Sequence, residues 1–325
     1  MVLFSVDLLI KLYTLQKMST VLETLYIGLS PAVQRTTGYE SLQVGTVNRA
    51  TQTQICAGGK AINALRAHYQ LGGEGALFTL IGGVQGEEVV RLLAAEGLSQ
   101  THLKINGKTR TCHTLVDLTS AQTTELVEES HHVDEVELTA LYEWLEEVSW
   151  PEQVAICGSV PGGVPAGIYG ELVMRAVKAG ATVYLDAAGE ALVNALEAGP
   201  IVKINASELL RTTGLTDRDE AAQAMLNWGA LALLITDAQR PAYVYEPGNR
   251  YQVTLPEVHA LKNTTGCGDA VMGGLMHQLA QGVSFLEASK FALACGIAAS
   301  GTLLPAQLDL TRMKQLEKQL IVKRF

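Results

Sequence analysis

Residues 263–270, NTTGCGDA, carry the residue types best suited to chemistry. Gly266 and Gly268 would let backbone N–H groups approach a ligand closely, with Cys267 between them. The helical pattern that follows places these groups at a helix N-terminus, which attracts anions such as phosphate. Asp269 adds a carboxylate that could accept a proton. The stretch predicts an anion hole beside a base, although a plain helix start stabilised by an acidic side chain fits as well.

A second glycine turn, AGGKAIN over residues 57–63, also opens a predicted helix. Gly58 and Gly59 would allow close backbone approach, and Lys60 offers a positive charge for a phosphate or sugar oxygen. Asn63 follows within the first turn. The stretch is not a P-loop, because the required G-x-x-x-x-G-K-[ST] pattern is absent. The alternative is a glycine turn with a solvated lysine.

A third stretch, KINASEL over residues 203–209, runs from a predicted strand into a helix. Asn205 and Glu208 could face a cleft at the carboxyl end of the sheet, where open α/β folds bind ligands. The same two residues also have the spacing of a capping box, in which they would serve only the helix. Both interpretations stay open at this point.

Two further features invite hypotheses. Cys267 would sit at a helix N-terminus, which favours thiolate character and alkylation, with a small buried side chain as the alternative. His131, His132 and Asp134 resemble part of a metal site. However, no further ligand is spaced to complete it, so the pattern favours a solvated loop.

The elements that must position these residues alternate along the chain. Apolar runs of strand length and segments of helical periodicity follow one another, which predicts an α/β fold with a doubly wound, mostly parallel sheet flanked by helices. Strands are predicted over 24–29, 75–83, 154–160, 182–189, 200–205 and 230–237. Helices are predicted over 61–73, 86–98, 137–148, 166–179, 190–198 and 217–228. After a short β stretch over 242–254, the last third is predicted helical, over 267–281, 285–300 and 309–320.

Two Thr- and Val-rich segments, about 33–56 and 108–129, interrupt this alternation. Their partial period-2 pattern predicts strands outside the main sheet, forming a small β lid over one edge. Residues 24–325 are therefore expected to form one domain that includes the lid. Residues 1–23 are expected to be an N-terminal extension, since residues 1–17 are apolar but interrupted by charges and lack the pattern of a signal peptide.

Composition narrows the function classes. The chain has 325 residues, a net charge of -9 and 48% hydrophobic residues. This balance argues against a broad nucleic-acid-binding face, and no apolar run is long enough to span a membrane. Five cysteines without a C-x-x-C pair favour a reducing compartment, so a cytoplasmic location is expected.

Taken together, the motifs resemble those of the PfkB (ribokinase-like) carbohydrate kinases, and most closely the branch that phosphorylates sugar phosphates. The resemblance covers nearly the whole chain from about residue 24, and the order and spacing of the motifs agree. The matching stretches are GLSPAVQ (28–34), GTVNRA (45–50), GGKAIN (58–63), KTRT (108–111), CGSVPGG (157–163), LDAAGEAL (185–192), KINASEL (203–209) and NTTGCGDA (263–270).

The resemblance implies a role for each motif. Asp269 would be the catalytic base beside an anion hole formed by the Gly266, Cys267 and Gly268 backbone. ATP and Mg²⁺ would be the cofactors, and the acceptor a sugar phosphate of the fructose-1-phosphate or tagatose-6-phosphate type. Residues implied to bind the sugar phosphate are Gln34, Gly58, Gly59, Lys60, Asn63, Arg110 and Ser159. Residues implied to bind the nucleotide are Asn205, Glu208, Thr236 and Asp237, with Glu208 also on the metal.

The sequence departs from the family pattern at several positions. Gln34 stands where the family usually has an Asp that binds sugar hydroxyls, and Ala61 and Cys267 replace a usual Gly and Ala. In TDAQRP, over 236–241, Ala238 and Pro241 replace two glycines, so this loop is expected to take another path.

The family often pairs two subunits through the lid, which implies a homodimer. Two alternatives stay open for the activity. One is a kinase of an unphosphorylated sugar or a nucleoside, and the other is a degenerate kinase that only binds a sugar phosphate.

Overall fold

A computed structural model describes residues 23–258 and 261–325. The predicted extension over residues 1–23 lies outside this range except for Glu23. Within the described residues, fourteen strands and ten helices are formed. The strands are β1 (Thr24–Gly28), β2 (Ala32–Tyr39), β3 (Gln52–Gly58), β4 (Ala76–Ile81), β5 (Ser99–Lys104), β6 (Arg110–Asp117), β7 (Thr123–Val127), β8 (Gln153–Cys157), β9 (Thr182–Asp186), β10 (Ile201–Asn205), β11 (Ala232–Thr236), β12 (Ala242–Glu246), β13 (Asn249–Thr254) and β14 (Ile321–Arg324).

The helices follow most of the predicted segments. They are α1 (Lys60–Gln70), α2 (Gly83–Ala95), α3 (Glu135–Glu147), α4 (Ile168–Lys178), α5 (Gly189–Leu196), α6 (Ala206–Thr213), α7 (Arg218–Asn227), α8 (Cys267–Ala280), α9 (Phe285–Ala299) and α10 (Leu310–Glu317). Side chains at helical spacing bury one face of a helix that covers the sheet, as in α4, where Ile168, Leu172 and Val173 are buried.

The main sheet has the strand order β14-β13-β12-β11-β10-β9-β8-β1-β4-β5. The pairs from β11 to β5 are parallel, whereas β12, β13 and β14 join as antiparallel neighbours. The parallel strands are buried along most of their length, because helices cover both faces. The predicted doubly wound, mostly parallel α/β fold is confirmed.

Two strands of this sheet were not predicted. β5, SQTHLK, is mostly polar and partly exposed, so it lacks the apolar run that marks a buried strand. β14 follows the last helix, in a region expected to be helical. Both strands lie at the edges of the sheet, where a strand needs little apolar surface.

A second, smaller sheet has the order β3-β2-β6-β7 and is called here the small sheet. It contains the segments for which strands outside the main sheet were predicted. β2 pairs with β3 in antiparallel and with β6 in parallel orientation, from Ala32 opposite both Gly58 and Arg110. β2 therefore starts beside Gly58 of the second glycine turn and beside Arg110. The small sheet borders the candidate site at this point.

Candidate active site

The helices that carry the two glycine motifs, α1 and α8, pack directly against each other. An added Cβ on Gly273 of α8 would lie 2.3 Å from the backbone oxygen of Ala64 on α1, so only a glycine allows this approach. Both helices begin at a glycine with positive φ: Gly59 has φ 120° and Gly266 has φ 80°. Left-handed conformations of this kind favour glycine. The two helix N-termini therefore open side by side.

Asp269 joins the two motifs. Its buried carboxylate accepts a hydrogen bond of 2.8 Å from Nδ2 of Asn63, three residues after Lys60. Burial and the Asp186 carboxylate raise the pKa of Asp269, while Lys203, Lys60 and the Asn63 hydrogen bond limit the rise. A raised pKa makes the carboxylate a stronger base than an exposed aspartate. The side chain thus faces the lysine-bearing turn rather than apolar packing.

A buried ion cluster lies beside this pair. Asp186, at the carboxyl end of β9, accepts a hydrogen bond of 2.7 Å from Lys60 on one oxygen and of 2.7 Å from Lys203 on the other. Burial alone would raise the pKa of Asp186, but the two ammonium groups outweigh it and lower the pKa. An added Cβ on Gly268 would lie 2.7 Å from Nζ of Lys203. Lys203 therefore lies against the turn formed by residues 266–268.

Asn205 and Glu208 form the predicted capping box at the start of α6. Asn205 Oδ1 accepts from the Glu208 N–H at 2.8 Å, and Glu208 Oε2 accepts from the Asn205 N–H at 3.2 Å. The other Glu208 oxygen, Oε1, lies 3.5 Å from Nζ of Lys60. The two interpretations left open by the sequence are therefore compatible, because one carboxylate caps the helix and also faces the ion cluster.

A cavity of about 480 Å³ opens at this edge of the sheet. Lys60, Ser159, Glu208 and Arg110 contribute its polar lining, and the turn around Gly59 forms one wall. The volume is in the range of small-molecule sites. Among the described residues, those that line the cavity do not include Asp269, Gln34, Thr236 or Asp237.

Arg110 reaches the cavity from the first residue of β6. Its two terminal nitrogens donate to the backbone oxygens of Ser30 and Glu128, at 3.1 and 3.3 Å. Its Nε is buried and has no hydrogen-bond partner within the described part of the chain. The guanidinium is held in place and still has donor capacity for an anion.

Gln34 lies on β2 of the small sheet, and its side chain contacts the neighbouring strand β6. Its Nε2 donates to Thr114 Oγ1 at 2.8 Å, and Thr114 Oγ1 lies 3.4 Å from Thr265 Oγ1. Thr265, directly before the turn at Gly266, also donates to Glu125 of β7 at 2.7 Å. Gln34 is thus connected to the turn through the small sheet, and sugar binding by Gln34 stays a prediction.

Thr236 and Asp237 lie at the end of β11 and in the following turn. Asp237 pairs with Arg240 at 3.6 Å, and its backbone oxygen accepts from the Arg240 N–H. Ala238 has φ 48°, a conformation that glycine adopts more easily. Ala238 therefore stands in a left-handed conformation at a position where the family pattern has a glycine. Nucleotide binding by Thr236 and Asp237 stays a prediction.

The hypothesis of a reactive Cys267 thiolate is wrong. Burial and the nearby Asp269 carboxylate raise the pKa of Cys267 to about 12. The thiol donates to the backbone oxygen of Asn263 at 3.7 Å. The helix N-terminus does not compensate for lost hydration and a neighbouring negative charge, so the thiol stays protonated.

The loop that carries His131, His132 and Asp134 leads into α3. No group of three or more His, Cys, Asp or Glu side chains in residues 23–258 and 261–325 is arranged to hold a metal ion. Asp134 instead caps α3, and His131 lies 3.9 Å from Glu137. In the same part of the chain, no helix is long and apolar enough to cross a membrane.

Three residues of the site were missed in the sequence. Asp186 and Lys203 lie in quoted motifs, and the buried Arg66 lies in the helix predicted over 61–73, but none of the three was singled out. A usable signal existed for two of them: a charged residue within or at the end of an apolar strand is costly to bury unless it is paired. Arg66 follows Asn63 by one helical turn and donates to its side chain, as described below.

Solved structures define the class of this fold. Phosphofructokinase-2 from Escherichia coli, solved with fructose-6-phosphate, has a TM-score of 0.80 at 27% identity, covering 92% of this chain and 99% of that one. The same protein has been solved in a tetrameric inhibited form. Ribokinase from Arabidopsis thaliana, complexed with ribose and ATP, has a TM-score of 0.69 at 18% identity, covering 92% and 99%. The fold is ribokinase-like.

The family follows from the sequence comparison. The pattern of the pfkB family carbohydrate kinases matches residues 27–303. A 1-phosphofructokinase from Rhodobacter capsulatus is 32% identical over 305 residues, which cover 91% of this chain and 96% of that protein. The chain belongs to the pfkB family and is a carbohydrate kinase. Membership implies ATP as the phosphoryl donor, and the resemblance inferred from the motifs is confirmed.

Proposed function

We propose that this kinase transfers the γ-phosphoryl group of ATP to a hydroxyl of a phosphorylated hexose, of the fructose-1-phosphate or tagatose-6-phosphate type. The observation that carries the proposal is the 2.8 Å hydrogen bond between Asn63 and Asp269, which joins the two glycine-led helix N-termini. Two anion-attracting ends thus converge on one carboxylate. The similarity to a 1-phosphofructokinase supports a sugar phosphate as acceptor.

Asp269 is the proposed base. Its carboxylate accepts the proton of the attacking hydroxyl as the new O–P bond forms and the bond to the ADP oxygen breaks. Nearby, the proposed anion hole is the backbone of Gly266, Cys267 and Gly268, in which the Cys267 N–H already donates to the backbone oxygen of Thr264 at 3.3 Å. Lys203 adds positive charge from beneath Gly268. Such fixed donors stabilise charge that develops during transfer.

Arg110 is the proposed contact for the phosphate already on the sugar. It lies at the cavity, and each of its two terminal nitrogens has a second N–H that a phosphate oxygen can use. Lys60 has less capacity, because Asp186 and Glu208 already engage its ammonium group. Ser159 and Gly59 complete the proposed sugar side of the cavity, and Gly58, next to Gly59, stays a predicted sugar-phosphate contact.

The ion cluster is compatible with Mg²⁺. Counted at formal charges, three carboxylates (Asp186, Glu208, Asp269) face two ammonium groups (Lys60, Lys203), which leaves one negative charge before a nucleotide adds its own. Mg²⁺ is usually held by one or two carboxylates together with phosphates and water. Glu208 is the proposed protein ligand, with Asn205 beside it, and the ion would neutralise phosphate charge.

The base is tested with Asp269→Asn, which preserves shape but removes the proton acceptor. We expect kcat to fall by about 10²–10⁴-fold, with binding of the sugar phosphate by calorimetry nearly unchanged. Asp134→Asn is the control, because asparagine serves equally well as a helix cap at that site. Near-normal turnover of Asp269→Asn would overturn the proposed role.

The acceptor is tested with a panel of fructose-1-phosphate, fructose-6-phosphate, tagatose-6-phosphate, free fructose, ribose and a nucleoside in a coupled ADP assay. We expect turnover only with phosphorylated hexoses. Arg110→Met should raise KM for the sugar phosphate by about ten-fold or more, because a charge-assisted contact is lost. A preference for free sugars would favour the first alternative, and binding without turnover the degenerate kinase.

We also propose that two copies of this chain pair through the small sheet. Its outer strands β3 and β7 expose Ile55, Leu126 and Val127, the last two more than half exposed. Leu126→Glu should shift the protein from dimer to monomer in sedimentation velocity, whereas Val136→Glu on α3 should not. A wild-type protein that is monomeric at micromolar concentration would contradict this pairing.

A further inference from the structure

Arg66 is a buried cation one helical turn beyond Asn63 on α1. A guanidinium carries five N–H donors, and each has an acceptor here. Nε and one N–H of Nη2 bind the two oxygens of Glu96, the latter at 2.9 Å. Nη1 donates to Asn63 Oδ1 at 2.7 Å and to the backbone oxygen of Pro305 at 3.2 Å. Nη2 also donates to the backbone oxygen of Ala57 at 2.6 Å.

These contacts decide which way the Asn63 amide faces. A guanidinium can only donate, so the Asn63 oxygen must face Arg66 and the Asn63 NH₂ group must face Asp269. A reversed amide would place N–H against N–H on one side and oxygen against carboxylate on the other. Arg66 therefore selects the orientation in which Asn63 donates to Asp269.

The same guanidinium also holds the surroundings of both glycine turns. Ala57 directly precedes the turn at Gly58, and Pro305 packs against the turn at Gly266, where an added Cβ would lie 2.9 Å from Pro305 Cβ. Glu96, at the C-terminal end of α2, closes the network on the side away from Asp269. The arrangement is a chain from Glu96 through Arg66 and Asn63 to Asp269.

We propose that Arg66, braced by Glu96, is a positioning residue that fixes Asn63 as a hydrogen-bond donor to the Asp269 carboxylate. Arg66 does not touch the reacting groups; it acts through Asn63. The inference rests on the proposed function, because it assigns Asp269 the role of base. Its consequence is that Arg66 stabilises the ionised form of Asp269 and so sets the pH at which activity is lost on the acid side.

The test is the pH dependence of kcat between pH 5 and 9 for Arg66→Lys, Glu96→Gln and Asn63→Ala. Loss of the oriented donor should move the acid limb of kcat upward by about one pH unit in Arg66→Lys, since a hydrogen bond to a charged group is worth about that much. At a pH on the acid limb of both proteins kcat should fall about ten-fold, with KM for ATP changed less than two-fold. Glu96→Gln should move the limb in the same direction by less.

A double variant separates positioning from general damage. In the Asn63→Ala background, the acid limb is already displaced, and Arg66→Lys should displace it no further, because its partner is gone. Equal displacement in both backgrounds would overturn the inference, as would an unmoved acid limb in folded Arg66→Lys. If Arg66→Lys fails to fold, Glu96→Gln decides alone: an upward displacement supports the inference and none overturns it.

Two controls keep the outcomes apart. Arg91→Lys changes an exposed arginine on α2 that pairs with Glu88, and it should leave the pH profile unchanged. Asp269→Asn tests the proposed function itself. If Asp269→Asn retains turnover, the proposed base is wrong whatever Arg66 does. If turnover requires Asp269 but the acid limb of kcat does not move in the Arg66 and Glu96 variants, only the positioning role is wrong.

Discussion

Helices α1 and α8 pack as a pair, and ionisable groups are buried at both ends of this pair. The charges that surround these groups differ between the two ends. At the N-terminal ends, Asp269 is buried beside Asn63 and the ammonium groups of the ion cluster. Toward the C-terminal ends, His68 is buried with its Nδ1 2.8 Å from the hydroxyl of Tyr26. The His277 ring lies edge-on to the His68 ring, with centroids 5.5 Å apart. Only the first end supplies opposite charges.

The pKa values follow this difference. Burial, and then His277, lower the pKa of His68 to about 4, so this end stays neutral. In the ion cluster, burial opposes ionisation of Asp186 too, but Lys203 and Lys60 lower its pKa instead. Equal burial therefore gives opposite results, because the partners differ. The comparison shows that charge persists only where the fold provides a counter-charge.

The largest expected effect comes from removing that counter-charge. Asp186→Asn leaves the buried ammonium group of Lys203 without its carboxylate, and it leaves Lys60 with Glu208 at 3.5 Å. We expect a loss of about 3–5 kcal/mol in the free energy of unfolding, measured by urea denaturation at pH 7. Asp134→Asn, at a helix cap that asparagine serves equally well, is the control. A loss below about 1 kcal/mol would mean that the two ends do not differ as described.

The second effect is acid lability from His68. Its pKa is about 4 in the folded state against 6.5 in the unfolded state, so the unfolded chain binds more protons between these values. The stabilising contribution is present above pH 6.5 and is lost as the pH falls toward 4. Between pH 7.5 and 5 the wild type should lose about 2 kcal/mol more than His68→Gln in urea denaturation. Equal losses would contradict a neutral buried His68.

The third effect concerns Gly273, where α8 contacts α1 between the two ends of the helix pair. Gly273→Ala places a Cβ within 2.3 Å of the Ala64 oxygen and 3.0 Å of the His68 nitrogen, so the helices must separate. We expect a loss of about 1–3 kcal/mol in unfolding free energy and a lower kcat from a displaced Asn63–Asp269 pair. Gly282→Ala, at a turn after α8, is the control for kcat. Loss of stability with unchanged kcat would show that the ends are independent.

The smallest effect isolates one neighbour. His277→Gln removes the second cause of the lowered pKa of His68 and leaves burial, the larger cause, in place. The acid-dependent loss of stability should shrink by only a few tenths of a kcal/mol relative to wild type. Urea denaturation at pH 7.5 and 5 measures it. A reduction as large as that of His68→Gln would place the pH sensitivity on His277 instead.

The sequence was sufficient for the fold class and for most parallel strands, because buried strands are continuous apolar runs with glycine or charged residues at their ends. It was also sufficient to find both glycine turns. β5 could not be found this way, since SQTHLK has no apolar run and is held by pairing with β4. Its existence depends on a neighbour 23 residues away along the chain, Ala76 opposite Ser99.

The side-chain partnerships of the site were beyond the sequence for a similar reason. Lys60 and Asp186 are 126 residues apart, and no local pattern indicates that they form an ion pair. Cys267 shows the same limit from the other direction. The helix start was predicted correctly, but the pKa of its thiol is set by burial and by Asp269 rather than by position in the helix. A local sequence pattern predicts where a residue lies in an element, whereas its pKa depends on neighbours that only the folded chain brings close to it.

Glu208 has a practical consequence for mutagenesis. One of its oxygens closes the backbone at the start of α6 while the other faces Lys60. Replacing it with alanine would remove a hydrogen bond at the start of α6 and a negative charge from the ion cluster at the same time. Lost activity in that variant could then not be assigned to one of the two changes. Glutamine can keep the acceptor for Asn205 while removing the charge, which makes Glu208→Gln the substitution that isolates the carboxylate's part in the proposed nucleotide and cation binding.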